Sequence, residues 1–376
     1  MYRCSHGTVR AGGERGGTMS WRLNAGVDDI LRKGAAFEGI SKDEAVTLLR
    51  LEPGSREVHA LMETADGMSR SSFNNKGENH LHIGINVEPC PFNCRFCSLA
   101  TSAGIFTEKT IFPEEVVLEW AGMAEDGHAD ALNIMTTGTY SFSRLLETGR
   151  MLAAAVTVPL VANTRDITHR EGEQLLKAGF VGAYHALRLG EGIDTPFRRE
   201  KRLATIKAIT EVGLRWMNCV EPVGPEHRVE EVAEMMVLAR VYGATYSGVM
   251  RRINFPGSPF EPFGMIDEDE LARMVAVSRL VMGDIPTAHC LHEPSAVSLT
   301  AGGNLFFPEV GANPRDREAD TGKGRGKSLS QCRRIFRETG WDPDLPSNCF
   351  IPGAPRIVRA SQGAAEERGP SDGGAS

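Results

Sequence analysis

Three cysteines stand within eight residues, in the segment Cys90-Pro-Phe-Asn-Cys94-Arg-Phe-Cys97. They come directly after a run typical of a β-strand, His80–Val87, so their thiolates leave that strand on one loop and can converge on one metal centre. Three thiolates suit a [4Fe–4S] cluster whose fourth iron is left open to another ligand. A structural zinc site would need a fourth protein ligand and usually shows paired CxxC spacing. The spacing therefore favours an iron–sulfur centre, with zinc as the alternative.

The CxxxCxxC pattern, with Phe96 before its last cysteine, resembles that of the radical S-adenosylmethionine (SAM) superfamily. The resemblance implies a [4Fe–4S] cluster held by Cys90, Cys94 and Cys97, with SAM chelated to its unique iron. It also implies reductive cleavage of SAM to methionine and a 5′-deoxyadenosyl radical that abstracts hydrogen from substrate. The implied partners are an electron donor such as flavodoxin or ferredoxin and a substrate that is either a small molecule or bound to a carrier protein.

Further SAM contacts are expected where predicted strands end. The resemblance assigns cofactor-binding roles to Phe96, Thr137, Gly138, Arg188, Glu191, Gly224 and Glu226. The segment 135–139 (MTTGT) lacks the acidic residue of the family's "GGE"-type segment, so only a backbone role carries over there. Arg188 suits a bidentate contact with the SAM carboxylate, and an ordinary ion pair at a helix start is the alternative. Gly224 and Glu226 match the family's adenine-contacting turn only loosely.

Four further cysteines need an explanation: Cys219, Cys290, Cys332 and Cys349. The resemblance runs from about Leu49 to Trp341 and is closest to the group of biotin synthase, hydrogenase maturases and methylornithine synthase. Biotin synthase holds a second cluster with three cysteines and an arginine, and only Cys219 falls at one of those positions. We therefore do not expect biotin formation by that mechanism. The four cysteines together could ligate an auxiliary cluster, and small buried core residues are the alternative.

Two polar segments at the ends of the last strands are candidates for substrate contact. In His289-Cys290-Leu291-His292-Glu293 we expect His292 and Glu293 to be catalytic, with an ordinary polar loop as the alternative. The segment 309–316 (EVGANPRD) carries groups suited to an anionic substrate, and we expect it to cap the barrel mouth. A solvated turn with an Arg–Asp pair is the other interpretation.

The elements that must position these residues alternate between short apolar strands and amphipathic helices. The strand predictions are His80–Val87, Ala131–Met135, Pro159–Asn163, Val181–His185, Leu214–Val220, Tyr246–Ile253, Ile285–Cys290 and Asn304–Pro308. Eight strands with helices between them predict an α/β fold of the (β/α)8 TIM-barrel type, complete or partial. A doubly wound open sheet fits the same periodicity. Three predicted helices before the first strand form an N-terminal extension.

Composition and length limit the remaining classes. The chain has 376 residues and a formal charge of −7, which argues against nucleic-acid binding. It has no apolar run long enough to span a bilayer and no secretory signal, so we expect a cytoplasmic protein without membrane contact. The predicted units are a disordered tail (1–18), the helical extension (19–79), the barrel (80–310), a capping segment (311–359) and a second disordered tail (360–376). Residues from about 250 to 345 resemble the domain associated with biotin and thiamin synthesis.

The sequence thus predicts a radical SAM enzyme of cofactor biosynthesis. The specific prediction is sulfur insertion at unactivated carbon, in the manner of lipoyl synthesis. The alternatives are maturation of an [Fe]- or [FeFe]-hydrogenase cofactor, a rearrangement like that of methylornithine synthase, and a non-catalytic zinc-binding protein.

Overall fold

The computed structural model of the protein describes residues 22–285 and 288–350. The two predicted tails and Cys4 lie outside these residues. The described chain opens with three helices, α1 (Ala25–Ala35), α2 (Lys42–Leu49) and α3 (Arg56–Phe73). Helix α2 begins with a capping box, in which the Glu44 amide donates to Ser41 Oγ and the Ser41 amide donates to the Glu44 carboxylate. The predicted N-terminal helical extension is confirmed.

The strands that follow these helices form one closed barrel of parallel strands and one separate pair. The strands are β1 (Glu78–Gly84), β2 (Asn86–Val87), β3 (Thr110–Ile111), β4 (Ala131–Met135), β5 (Leu160–Asn163), β6 (Phe180–Tyr184), β7 (Arg215–Met217), β8 (Val220–Val223), β9 (Tyr246–Arg251), β10 (Ala288–His292), β11 (Leu305–Phe306) and β12 (Glu309–Gly311). Strands β2 and β3 pair with each other, outside the barrel.

The ring closes because β1 pairs with β4 on one side and with β11 and β12 on the other. Strands β7 and β8 together fill one of the eight positions, as do β11 and β12, and β9 pairs with β7, β8 and β10. The barrel is therefore complete, and the doubly wound alternative is wrong.

Helices surround the barrel as α4 (Glu114–Asp126), α5 (Phe142–Ala155), α6 (His169–Lys177), α7 (Arg199–Glu211), α8 (Val229–Val241), α9 (Glu268–Met282), α10 (Ala296–Leu299) and α11 (Leu329–Glu338). The apolar faces of α4 to α7 pack on the outer face of the sheet. Helices α1 to α3 pack against α8 and α9 in a separate apolar layer. No helix in the described ranges has the length and apolar character that a bilayer crossing requires.

The barrel interior follows from the two-residue period of its strands. On β1 the inward side chains are Glu78, His80 and His82, all of them buried. The end where the strands begin is closed by the C-terminal segment, because Ser347 and the Asn348 amide donate hydrogen bonds to Glu78. The open end, where the strands finish, carries the cysteine loop between β2 and β3.

Candidate active site

Backbone hydrogen bonds fix the loop that carries the three cysteines. The Cys90 amide donates to Leu99 O over 2.7 Å, and the Cys97 amide donates to Cys94 O over 3.0 Å. From neighbouring loops, Pro314 O accepts from the Ser98 amide over 2.8 Å. These contacts hold the three thiols in fixed relative positions at the mouth of the barrel.

The three thiols suit a multi-iron cluster better than one zinc ion. Two thiolates on a single tetrahedral zinc lie about 3.8 Å apart, given bonds of about 2.3 Å. Within the described residues, Glu78, His80 and Cys349 are the group whose ligand atoms all lie within 4.8 Å of one another, and the loop cysteines are not such a group. A cluster places each thiolate on a different iron, so the wider spacing fits it.

Burial keeps two of the loop cysteines protonated in the metal-free protein. Burial, and then the neighbouring Cys94 and Cys90, raise the pKa of the Cys97 thiol to about 12. Burial also raises the pKa of Cys94, and the Arg188 guanidinium opposes that effect. Binding of a metal centre to these two thiols would therefore displace their protons.

One cavity runs from the cysteine loop into the barrel, with about 1310 Å³ of empty space when its open mouth is counted. Its walls include many of the residues predicted for the site: Cys90, Cys94, Phe96, Cys97, Thr137, Gly138, Arg188 and His292. Other predicted residues, Glu191, Gly224, Glu226 and Glu293, are described by the structure but lie behind this wall. The cavity therefore joins the cysteine loop to the interior of the barrel.

Thr137 and Gly138 are held at the mouth by Asn86 on β2 and by Glu88, which directly follows β2. The Thr137 amide donates to Asn86 Oδ1 over 3.0 Å, and Thr137 Oγ1 donates to Glu88 Oε2 over 2.9 Å. A Cβ at position 138 would lie 2.6 Å from the Phe92 ring, so the Phe92 side chain packs directly on Gly138. Glu88 thus brings to this turn the acidic group that the segment 135–139 lacks, and its place in the site was not predicted.

Arg188 reaches the cavity wall with its orientation set by Glu221. Its Nε lies 3.0 Å from Glu221 Oε1, and the Tyr184 hydroxyl donates to Glu221 Oε2 over 2.6 Å. Although burial lowers the pKa of Arg188, Glu221 raises it, and the net direction is upward. The guanidinium centre lies 6.0 Å from the Phe96 ring centroid, beside the cysteine loop. Arg188 is therefore a permanently charged group placed next to the expected SAM position.

The other predicted SAM residues support the wall from behind. Glu191 lies 2.9 Å from Nε of the buried Arg202, which itself lines the cavity. Glu226 forms an ion pair with Arg252, another lining residue. A Cβ at position 224 would lie 2.1 Å from Nη1 of Arg252. Glu191, Gly224 and Glu226 thus position arginines of the wall.

Of the two predicted catalytic residues, His292 lines the cavity and Glu293 does not. His292 stacks on Phe307, with ring centroids 4.3 Å apart, and lines the cavity. Burial lowers its pKa to about 4, so it is neutral at pH 7. Glu293 is engaged elsewhere, with Arg325 at 2.8 Å and Arg251 at 3.5 Å. Only His292 is placed to contact a ligand in the cavity.

The loop after β12 caps the barrel, as expected from the segment 309–316. Asn313, Pro314 and Arg315 line the cavity. Arg315 pairs with Glu309. Burial alone would raise the pKa of Glu309, but Arg315 and Arg325 hold that pKa well below its usual value. The structure therefore favours the capping interpretation over a solvated turn.

Two of the four spare cysteines meet inside the barrel. Cys219 lies between β7 and β8, Cys290 lies on β10, and their sulfur atoms are 3.6 Å apart. Gly248 on β9 is the register partner of Cys290. Because glycine has no side chain, the sulfur atoms of Cys219 and Cys290 can meet across β9. Cys349 belongs to the same buried apolar cluster, together with Tyr246.

Cys332 does not join this group. It lies on α11 and packs with Phe336 and Trp341 in the outer layer that contains the N-terminal helices. The structure therefore brings three of the four spare cysteines into the barrel interior and leaves the fourth outside it.

Comparisons with known proteins agree with this geometry. No family model matches the chain. It is 24% identical to a biotin synthase of Desulforudis audaxviator over 270 residues, which is 69% of this chain and 80% of that protein. A biotin synthase of Halorhodospira halophila is 27% identical over 290 residues, 67% of this chain and 84% of that protein.

Solved structures show the same fold. Methylornithine synthase (PylB) superposes with a TM-score of 0.72 at 14% identity, over 84% of this chain and 98% of that one. The [FeFe]-hydrogenase maturase HydG from Carboxydothermus hydrogenoformans gives a TM-score of 0.72 at 15% identity, over 86% of this chain and 80% of that one.

The complete barrel and the cysteine loop at its mouth are the features that the resemblance to radical SAM enzymes implies. The sequence similarity to biotin synthases and the shared fold agree with that predicted resemblance.

Proposed function

We propose that the chain binds a [4Fe–4S] cluster through Cys90, Cys94 and Cys97, cleaves SAM reductively and uses the resulting radical on a small substrate inside the barrel, in the biosynthesis of a cofactor. The observation that carries this proposal is that the three thiols, Arg188 and His292 line one cavity. When bound, the cluster supplies the electron that splits SAM into methionine and the 5′-deoxyadenosyl radical. Flavodoxin or ferredoxin is the expected electron donor.

The residues of the wall would orient SAM. Arg188, fixed by Glu221, would bind the SAM carboxylate as a charged two-pronged donor. The backbone around Thr137 and Gly138 would contact the methionine end, because hydrogen bonds to Asn86 hold that turn in place.

For the reaction itself we propose sulfur insertion. The support is the 3.6 Å between Cys219 and Cys290, close to the roughly 3.8 Å that separates two thiolates on one tetrahedral metal. Cys349, His80 and Glu78 form a second group of ligand atoms, within 4.8 Å of one another. These groups could hold an auxiliary iron–sulfur cluster in which a nitrogen or oxygen ligand takes the place of Cys332, as imidazole replaces thiolate in Rieske centres.

The second candidate is a reaction that needs no auxiliary cluster, such as hydrogenase cofactor maturation or a methylornithine-synthase-like rearrangement. The position of Cys332 favours it, because only three of the four spare thiols lie in the barrel. In that case Cys219 and Cys290 would be small core residues, a role that free cysteine often has.

Anaerobic reconstitution with iron and sulfide tests these proposals. About four irons per chain are expected from the loop cluster alone, and about six to eight if an auxiliary cluster of two or four irons is present. Cys94→Ala should abolish release of 5′-deoxyadenosine, whereas Cys219→Ala should lower the iron content but leave that release intact. Cys332→Ala is the matched control for loss of a buried thiol.

Each failure has a distinct meaning. A reduced, reconstituted protein that releases no 5′-deoxyadenosine would contradict the radical reaction. If the wild-type protein binds four irons and Cys219→Ala does not lower that number, the second candidate, a reaction without an auxiliary cluster, is supported. One bound zinc and no iron would support the zinc-binding alternative instead.

A further inference from the structure

Two inward side chains at the start of β1, Glu78 and His80, lie beside the thiol of Cys349 from the C-terminal segment. Each side chain offers one ligand atom, and these three atoms lie within 4.8 Å of one another. All three side chains are buried, and none of them lines the cavity that begins at the cysteine loop. They form a separate group of a thiol, an imidazole and a carboxylate, which are the ligand types that bind zinc in proteins.

The distance between two of these atoms fits a shared ion. His80 Nε2 lies 3.3 Å from Glu78 Oε2, which is long for a hydrogen bond. Two ligands bonded to one tetrahedral zinc ion at about 2.0–2.1 Å lie about 3.3–3.4 Å apart. The other ring nitrogen of His80, Nδ1, is buried and has no hydrogen-bond partner in the part of the chain that the structure describes. An ion bonded to the ring would supply the interaction that His80 lacks.

Glu78 is a fully buried carboxylate that forms no ion pair with a lysine or arginine of the described residues. It accepts hydrogen bonds from Ser347 Oγ over 2.8 Å and from the Asn348 amide over 2.5 Å, and both donors are neutral. Lys76, a nearby cation, forms its ion pair with Asp130 over 2.8 Å. Because buried charges in proteins are paired or bound to metals, a cation is the partner that Glu78 lacks.

The third ligand is held in place by the C-terminal segment itself. The Arg215 guanidinium donates to Cys349 O, and the Cys349 amide donates to Ser347 Oγ over 3.2 Å. The Phe350 ring packs against the His80 ring, with centroids 5.5 Å apart. The group is therefore enclosed by protein, as a structural metal site is.

This group lies at the opposite end of the barrel from the cysteine loop. Glu78 begins β1 and Gly84 ends it, and six residues of strand span about 20 Å. An ion held here would be too far from the loop to take part in SAM cleavage.

We infer that Glu78, His80 and Cys349 bind one zinc ion, which fastens the C-terminal segment to the first strand of the barrel. Ser347 Oγ or a water would complete the four ligands. The inference goes beyond the proposed function, because the SAM-cleaving cluster does not depend on it. It assigns to a single ion the three ligands that the auxiliary cluster would otherwise use, so zinc at this place favours the candidate reaction that needs no auxiliary cluster.

Zinc analysis of a variant without the loop thiols tests the inference. The combined change Cys90→Ala, Cys94→Ala and Cys97→Ala removes the three-thiol loop as a zinc site, so zinc that remains after dialysis is bound elsewhere. About one zinc per chain is expected in this parent variant. X-ray absorption at the zinc edge should show one sulfur neighbour at about 2.3 Å, with nitrogen and oxygen neighbours at about 2.0–2.2 Å.

Single changes added to the parent variant locate the ion. Cys349→Ala should lose the zinc, whereas the matched control Cys332→Ala removes a buried thiol of the outer layer and should keep it. His80→Gln leaves the remaining thiols in place and should also lose the zinc, which covers the case in which Cys349→Ala does not fold. A chelator should lower the melting temperature of the parent variant and leave that of His80→Gln unchanged.

Three results would overturn the inference. The first is a parent variant without zinc, and the second is an ion with two or more sulfur neighbours, which would place it at Cys219 and Cys290. The third is iron beyond about four per chain in the reconstituted wild type that Cys349→Ala removes, because the three ligands would then belong to an auxiliary cluster. Release of 5′-deoxyadenosine by the wild type is measured separately, so failure of SAM cleavage would contradict the proposed function without changing the zinc result.

Discussion

Oxidation of the folded, metal-free protein should leave Cys219 and Cys290 as free thiols, although their sulfur atoms are only 3.6 Å apart. Strand β9 separates them, and two steps of about 4.8 Å around an eight-strand ring place their Cα atoms about 9 Å apart. Disulfides need Cα atoms within about 7 Å, so a bond would require the strands to move by about 2 Å. The same 3.6 Å fits two thiolates on one metal, which needs no such movement.

The assay is treatment with diamide under native conditions, followed by alkylation in denaturant, digestion and mass spectrometry. Both residues should carry the alkyl label. The loop residues Cys90, Cys94 and Cys97 are only partly buried and serve as the internal control that the oxidant has reached the protein. A peptide pair linked through Cys219 and Cys290 from protein that stays folded would refute the argument, because β8 and β10 would then be free to approach each other.

Three further predictions concern stability. Cys332→Ala should lower the free energy of unfolding by about 1 kcal/mol, measured in urea, because the thiol packs in the outer apolar layer; iron content should not change. Gly84→Ala should cost about 1–3 kcal/mol or more, since its Cβ would lie 1.9 Å from Ala312 O, and an unchanged melting temperature would contradict this. Burial lowers the pKa of His292 from 6.5 to about 4, so between these values the unfolded state binds one proton more than the folded state. The free energy of unfolding should therefore fall by up to about 1.4 kcal/mol per pH unit as the pH drops through that window, and His292→Gln should show a shallower fall; equal slopes would exclude this contribution.

Strands and helices could be predicted from the sequence because their periodicity is local. The predicted strand Ala131–Met135 lies where β4 is found. The predicted strand Leu214–Val220 is in fact interrupted, with β7 ending at Met217 and β8 beginning at Val220. Closure of the ring depends on pairing of β1 with β11 and β12, more than 200 residues later, and periodicity carries no information about it.

The site was predictable where its residues are close in sequence. The loop cysteines need only their own spacing to indicate a cluster. The groups that fix the residues predicted to contact SAM come from elsewhere in the chain, as when Glu221 holds Arg188 and Glu88 holds Thr137. One signal was available: inward positions on a barrel strand recur every second residue, so His80 already indicated that His82 faces the interior.

The depth of each group in the barrel connects the proposals. The proposed ligands of the SAM-cleaving cluster lie at the mouth of the cavity, whereas the pair Cys219–Cys290 lies in the packed interior with Tyr246. Loss of a loop cysteine should therefore abolish SAM cleavage, whereas loss of Cys219 should remove only a candidate ligand of the auxiliary cluster. The two roles can thus be separated by experiment.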